Sequence, residues 1–96
     1  MINRKEEIVV NGSFKKIDDY VLDLIMIADG YGVYFFDLDS SRKTKPYREA
    51  RSECIMYLLK KGASGVSIAR LFKRDQSFIS KVVKRNKEKE KDFHCI

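Results

Sequence analysis

The stretch Ser64-Gly65-Val66-Ser67-Ile68-Ala69-Arg70-Leu71-Phe72-Lys73-Arg74-Asp75-Gln76-Ser77-Phe78-Ile79-Ser80-Lys81-Val82-Val83 decides the fold. Ser64 stands where serine is favoured as a helix cap. Val66, Ile68, Ala69, Leu71 and Phe72 then supply the apolar residues of a short helix. The polar turn Lys73-Arg74-Asp75 interrupts the pattern, and Ile79, Val82 and Val83 set the inward face of a further helix running through Asn86. Paired short helices are common, so packing must distinguish the DNA-binding version. Ala69 is the small mid-helix residue where the second helix has to cross closely. Ile68 and Phe72 lie below it, opposite Ile79 and Val82. The reading is a helix-turn-helix between about Ser64 and Asn86.

Working outward, Tyr47, Ala50, Cys54, Ile55, Leu58 and Leu59 trace the face of a preceding helix, predicted over 47–61 and ended by Gly62. Before it, Ser40 to Tyr47 combines small, polar and basic residues with Pro46, which marks a basic loop. Val33 to Leu38 has strand propensity, but Ile8 to Val10 is the only other strand candidate, and two short strands alone are marginal. A short helix is therefore expected at Val33–Leu38. Phe14, Ile17, Val21, Leu24, Ile25 and Ala28 fall on one helical face, with Ser13 or Asp18 as its cap and Leu22, Met26 and Ile27 extending it. Asp29-Gly30-Tyr31-Gly32 stops that helix, the glycines serving to turn the backbone through positive φ. The fold class expected is all-α, a compact multi-helix bundle containing the helix-turn-helix. It divides into an N-terminal segment 1–13, a DNA-binding domain 14–86, and a charged tail 87–96 that is either a fraying helix end or disordered.

Composition sets the bounds. Ninety-six residues allow one domain with one modest core, and 44% hydrophobic with 35% charged residues suits a soluble protein. The longest apolar stretch, Tyr20 to Ala28, is broken by Asp23 and falls short of the roughly 20 residues a bilayer span needs. No secretory signal is visible at the charged N-terminus, so a cytoplasmic location is expected. Cys54 reads as a core residue, and the tail His94-Cys95-Ile96 has neither metal-ligand nor prenylation spacing. Charge is unevenly placed: residues 1–40 hold four Lys/Arg against eight Asp/Glu, and residues 41–96 hold sixteen against six. The basic C-terminal part is the electrostatic footprint of a polyanion-binding surface.

The outward residues of the last helix fit that surface. Gln76, Ser77, Phe78, Ser80, Lys81, Lys84 and Arg85 include the donors and acceptors that reading the major groove requires. Phe78 either touches a thymine methyl or tucks into the core. Asp75 occupies the position of an N-cap, and it also suits accepting a hydrogen bond from a base amino group. Arg42, Lys43 and Lys45 on the loop are candidates for a minor groove or for phosphates. Arg48, Arg51, Arg74, Lys84 and Arg85 are candidates for phosphates.

From about Ile17 to Arg85 the chain resembles the C-terminal DNA-binding domain (domain IV) of the bacterial replication initiator DnaA, within the Trp-repressor-like helix-turn-helix superfamily. The pieces that carry the likeness are Gly32-Val33 and Asp37-Leu38 after the leading helix, the basic segment Ser41-Arg42-Lys43-Thr44-Lys45, and the helix Ala50 to Leu59. To these are added Ser67-Ile68-Ala69-Arg70-Leu71-Phe72 and the signature Arg74-Asp75-Gln76-Ser77-Phe78-Ile79. That family's signature usually reads Arg-Asp-His-Thr/Ser-Thr-Val. The resemblance implies that Asp75, Gln76 and Ser77 enter the major groove while Lys43, flanked by Arg42 and Lys45, reaches the adjacent minor groove. Gln76 replaces the family's histidine, Phe78 its second threonine and Lys43 its arginine, so the initiator's own recognition sequence does not carry over.

The expected function is sequence-selective binding of double-stranded DNA, as a transcription regulator or replication accessory. The alternative is a protein-interaction adaptor that uses the same fold to modulate an initiator or repressor. No catalytic constellation can be assembled, and there is no G-x-x-x-x-G-K-[ST] loop, so neither an enzyme nor a nucleotide partner is expected. No metal, cofactor or membrane partner is expected either.

Overall fold

Asn11 and Gly12 both have positive φ, 52° and 82°. This is the requirement of the tight turn that joins two antiparallel strands with the correct twist. They link β1 (Glu7–Val10) to β2 (Ser13–Lys16), with Ile8 opposite Lys15 and Val9 opposite Phe14. The computed structural model describes residues 2–40 and 44–94, with side chains described through Asn86. Among these residues the elements after the hairpin are a 3-10 turn (Ile17–Asp19), α1 (Val21–Gly30), a 3-10 turn (Phe35–Asp37), α2 (Lys45–Lys60), α3 (Gly65–Leu71) and α4 (Gln76–His94).

The chain is therefore not all-α. The expected leading helix is shorter than its apolar spacing implies: Phe14 lies on β2 with 75% of its surface exposed, Ile17 lies in the 3-10 turn, and α1 begins only after Tyr20, without a side-chain cap. The physical reason is tertiary. A two-stranded ribbon is marginal by itself, but β1 alternates, and its inward residues Ile8 and Val10 are buried in the helical core. Its backbone is also stitched to the helix-turn-helix: Ser64 N donates to Val9 O at 2.8 Å, Val9 N donates to Ser67 Oγ at 3.2 Å, and Asn11 N donates to Gly62 O at 3.0 Å. The first thirteen residues thus contribute Ile2, Ile8 and Val10 to the same core as the helices.

The remaining expectations meet a closer outcome. Val33–Leu38 contains a short helical turn in which Phe35 and Phe36 are buried, and Phe35 meets Phe72 edge-on at 6.4 Å between ring centroids. Pro46 sits in the first turn of α2, where its missing N–H has no helical partner to lose. Cys54 is buried, and burial pushes its thiol up to about 12, which keeps it protonated as a core group. Ser64 caps α3 by accepting from Ser67 N. No helix among the described residues is long and apolar enough to cross a membrane.

The helices before α4 end in one recurring arrangement, with a left-handed residue just past the cap and two backbone bonds closing the last turn. In α2 these bonds are Gly62 N to Leu59 O and Ala63 N to Leu58 O, both 3.0 Å. Gly62 has φ 96°, and a Cβ there would collide with the Asn11 side chain. Of the two glycines after α1, only Gly32 takes positive φ; Gly30 is the last helical residue. Gly62→Ala should lower stability by about 1–2 kcal/mol from the left-handed backbone, with the collision adding to it. A lower urea midpoint at unchanged slope is the expected readout.

Candidate nucleic-acid interface

The turn between α3 and α4 is built on Lys73. It has φ 54°, while Lys73 N bonds to Arg70 O at 3.1 Å and Arg74 N to Ala69 O at 2.8 Å. A lysine in this conformation bears a backbone cost that glycine would not. Its side chain offsets part of that cost by pairing with Asp39, Nζ to Oδ2 at 3.3 Å, where the carboxylate is almost fully buried. The next residue, Arg74, donates from Nη2 to Ser40 O at 2.6 Å. The loop before α2 thereby holds the turn in place.

Arg51 meets the same loop from α2. Its Nε donates to Leu38 O at 2.8 Å and its Nη2 to Ser40 O at 3.3 Å. It is 3% exposed. Burial, and then the like charge of Arg74, lower its pKa, while Asp39 opposes them. Arg51, read from the sequence as a phosphate contact, is thus placed with its guanidinium bonded to backbone carbonyls, where it ties α2 to this loop. Sequence pattern could not show this, because the acceptors are main-chain carbonyls and carry no residue signature.

The other predicted residues divide by face. A helix turns 100° per residue, so Ser77, Ser80, Lys81 and Lys84 form the centre of an exposed arc of α4, with Gln76 on one edge and Arg85 on the other; all six are exposed. Asp75 is exposed at the cap position, and its carbonyl accepts from Phe78 N at 2.9 Å. Phe78 is half-buried against the core with the Arg74 guanidinium 5.8 Å from its ring centroid, so it takes the tucked position rather than the exposed one. Ile79 and Val82 are buried, and a Cβ on Gly65 would stand 3.6 Å from Ile79 Cγ2, which places the start of α3 against α4. Arg48 is exposed on α2 and Lys45 is exposed at its start. Arg42 and Lys43 lie outside the described residues.

Between α2 and α4 runs a cleft of about 520 Å³ lined by Arg48, Arg51, Arg74, Lys81 and Arg85, with Ser52, Phe78 and Val82 between them. Among the described residues no carboxylate lines it. Ser52 was not singled out from the sequence, since a lone serine in a helix carries no signal. Among the described residues no group of three or more His, Cys, Asp or Glu is placed to hold a metal ion. No protein family, curated protein or solved structure matches the chain.

Arg51→Ala should destabilise the fold by about 2–4 kcal/mol, because it removes the donor to the buried Leu38 carbonyl and opens a void. Arg51→Lys should recover only part of that, since lysine lacks the planar fork whose separate Nε and Nη2 donors reach the Leu38 and Ser40 carbonyls. Arg48→Ala should stay within about 0.5 kcal/mol of the parent in the same urea titration.

Proposed function

We propose that this chain binds double-stranded DNA in a sequence-selective manner, with α4 in the major groove, and acts in the cytoplasm as a transcription regulator or replication accessory. The observation that carries the reading is the exposed arc of α4. Its first turns hold Gln76, Ser77, Ser80 and Lys81 free of the core while Ile79 and Val82 anchor the helix from behind. Glutamine pairs bidentately with adenine, serine reaches base edges or phosphates, and lysine reaches phosphates or guanine. Arg48, Lys45, Lys84 and Arg85 are exposed nearby for backbone contacts, which give affinity and register rather than sequence information. The signature Arg74 to Ile79, with its likeness to the initiator's DNA-binding domain, supports the same role for Asp75, Gln76 and Ser77. In this reading Arg42 and Lys43 extend the interface toward the minor groove.

A protein-adaptor reading has one observation in its favour. On α1, Leu22 and Met26 are 74% and 71% exposed one turn apart, beside Asp19 and Asp23. That face is acidic and is built from the N-terminal part of the chain, so it does not suit DNA.

Selection from a randomised duplex library should return a motif. Contacts to about six phosphates should give a log-log salt slope near −5 for the best site. Gln76→Ala should weaken the preference for that site over a scrambled duplex by about 1–3 kcal/mol, and Lys43→Ala should lower affinity for both. Equal, weak binding of both duplexes with no motif recovered would overturn the DNA reading in favour of a protein partner.

A further inference from the structure

The two flanks of α4 differ in a way that the DNA reading does not require. On the flank facing α3 the depression is formed by Gly65, Gln76, Ile79, Ser80 and Val83, with Lys84 as its only cation among the described residues. On the flank facing α2, five cationic side chains converge on one cleft, and no acidic residue among the described ones lines it. The neighbouring depression on α2 shares Arg48 and Arg85 but also contains Glu49 and Glu53, so its charge is mixed. Among the described residues, Arg48, Arg74, Lys81 and Arg85 line the cleft between α2 and α4 in addition to the bonded Arg51.

That concavity is also preorganised. Arg51 and Arg74 are held at its inner side by their bonds to the Leu38 and Ser40 carbonyls. These guanidinium groups gather charge without the entropy loss of ordering flexible side chains on binding. Arg48, Lys81 and Arg85 are exposed at the rim. Between the cations lie the Phe78 ring, Val82 and the Ser52 hydroxyl. About 520 Å³ of cleft with the Phe78 ring in its lining is within the size range of small-ligand sites.

We propose that the α2–α4 cleft is a seat for the phosphate group of a phosphate ester, whose remaining part lies against Phe78 and Val82. Arg48, Arg74 and Arg85 supply forked N–H donors to the phosphate oxygens, and Lys81 adds a mobile ammonium. Ser52 Oγ is the hydroxyl available to a further oxygen or to a sugar. The phosphate has two sources: a backbone phosphodiester of bound DNA, or a free organic phosphate such as a mononucleotide. The first deepens the DNA reading by placing the tightest backbone contact on the α2 side of the recognition helix. The second is independent of it.

The test titrates the full chain with inorganic phosphate, then adenosine monophosphate, then sodium chloride at matched ionic strength, following the arginine Nε–H and Phe78 ring resonances by NMR. Saturable shifts of Arg74 and Phe78 with both phosphates and not with chloride are expected. Arg85→Gln should weaken that binding by about tenfold, the scale of one charge-assisted hydrogen bond. Lys16→Gln, which removes the same charge from exposed β2, should leave it unchanged. Addition of the selected duplex then separates the sources: displacement of the mononucleotide assigns the seat to the DNA backbone, and simultaneous binding assigns it to a free phosphate ester. Shifts that fail to saturate, or that respond alike to Arg85→Gln and Lys16→Gln, would overturn the seat while a recovered duplex motif still stands. Saturable phosphate binding without any motif would remove the DNA reading and leave the seat.

Discussion

Three cationic side chains converge on the short segment Leu38-Asp39-Ser40, and the placement of α4 depends on that convergence. Arg51 reaches it from α2, while Lys73 and Arg74 reach it from the turn between α3 and α4. Two acceptors are backbone carbonyls and the third is a buried carboxylate; the Arg51–Leu38 bond is buried, where water competes weakly, and the bonds to Ser40 are part-buried. Buried charge of this kind is costly when unpaired. A turn conformation that moves Lys73 and Arg74 away gives up their bonds to Asp39 and to the Ser40 carbonyl. A local sequence element, the turn of a helix-turn-helix, is in this way defined by residues that precede it by more than thirty positions.

The hairpin braces the same unit from the other side. β1 offers Val9 O and N to Ser64 and Ser67, and the Asn11 backbone meets Gly62. The first turn of α3 therefore has its cap, its preceding linker and its flanking strand all bonded to one another. α3 spans only seven residues, too few for an isolated helix to persist. Its order comes from these bonds and from burial of Ile68, Ala69, Leu71 and Phe72. That rigidity holds the exposed face of α4 in a fixed position, as a site built on rigid elements requires.

Charge is separated along the same architecture. The N-terminal forty residues carry the acidic excess and the later residues the basic one. Folding places the acidic α1 surface and the cationic α2–α4 cleft on different elements of one small body. A polyanion approaching such a dipolar particle is steered to one side of it. Arg51 contributes to that field from inside the protein although it is nearly inaccessible. Its charge acts over distance while its hydrogen bonds serve the fold.

The sequence by itself determined α2, α3, the turn at Lys73–Asp75 and the start of α4. These rest on local signals: Pro46 at a helix start, Gly62 past a helix end, Ser64 as a cap, and apolar residues at helical spacing. The outward arc Gln76, Ser77, Ser80, Lys81 and Lys84 was legible for the same reason, since helical period assigns faces without knowledge of the partner. The hairpin had a local signal in Asn11-Gly12, but Phe14 also continues the helical spacing of Ile17 and Val21, and the two periods conflict there. Only the tertiary structure decided between them, because β1 is stable through its bonds to Ser64, Ser67 and Gly62, far along the chain. The same holds for Arg51. As a basic residue on a helix it reads as a phosphate contact, and its burial follows from where the Leu38 and Ser40 carbonyls come to lie, which side-chain pattern does not encode.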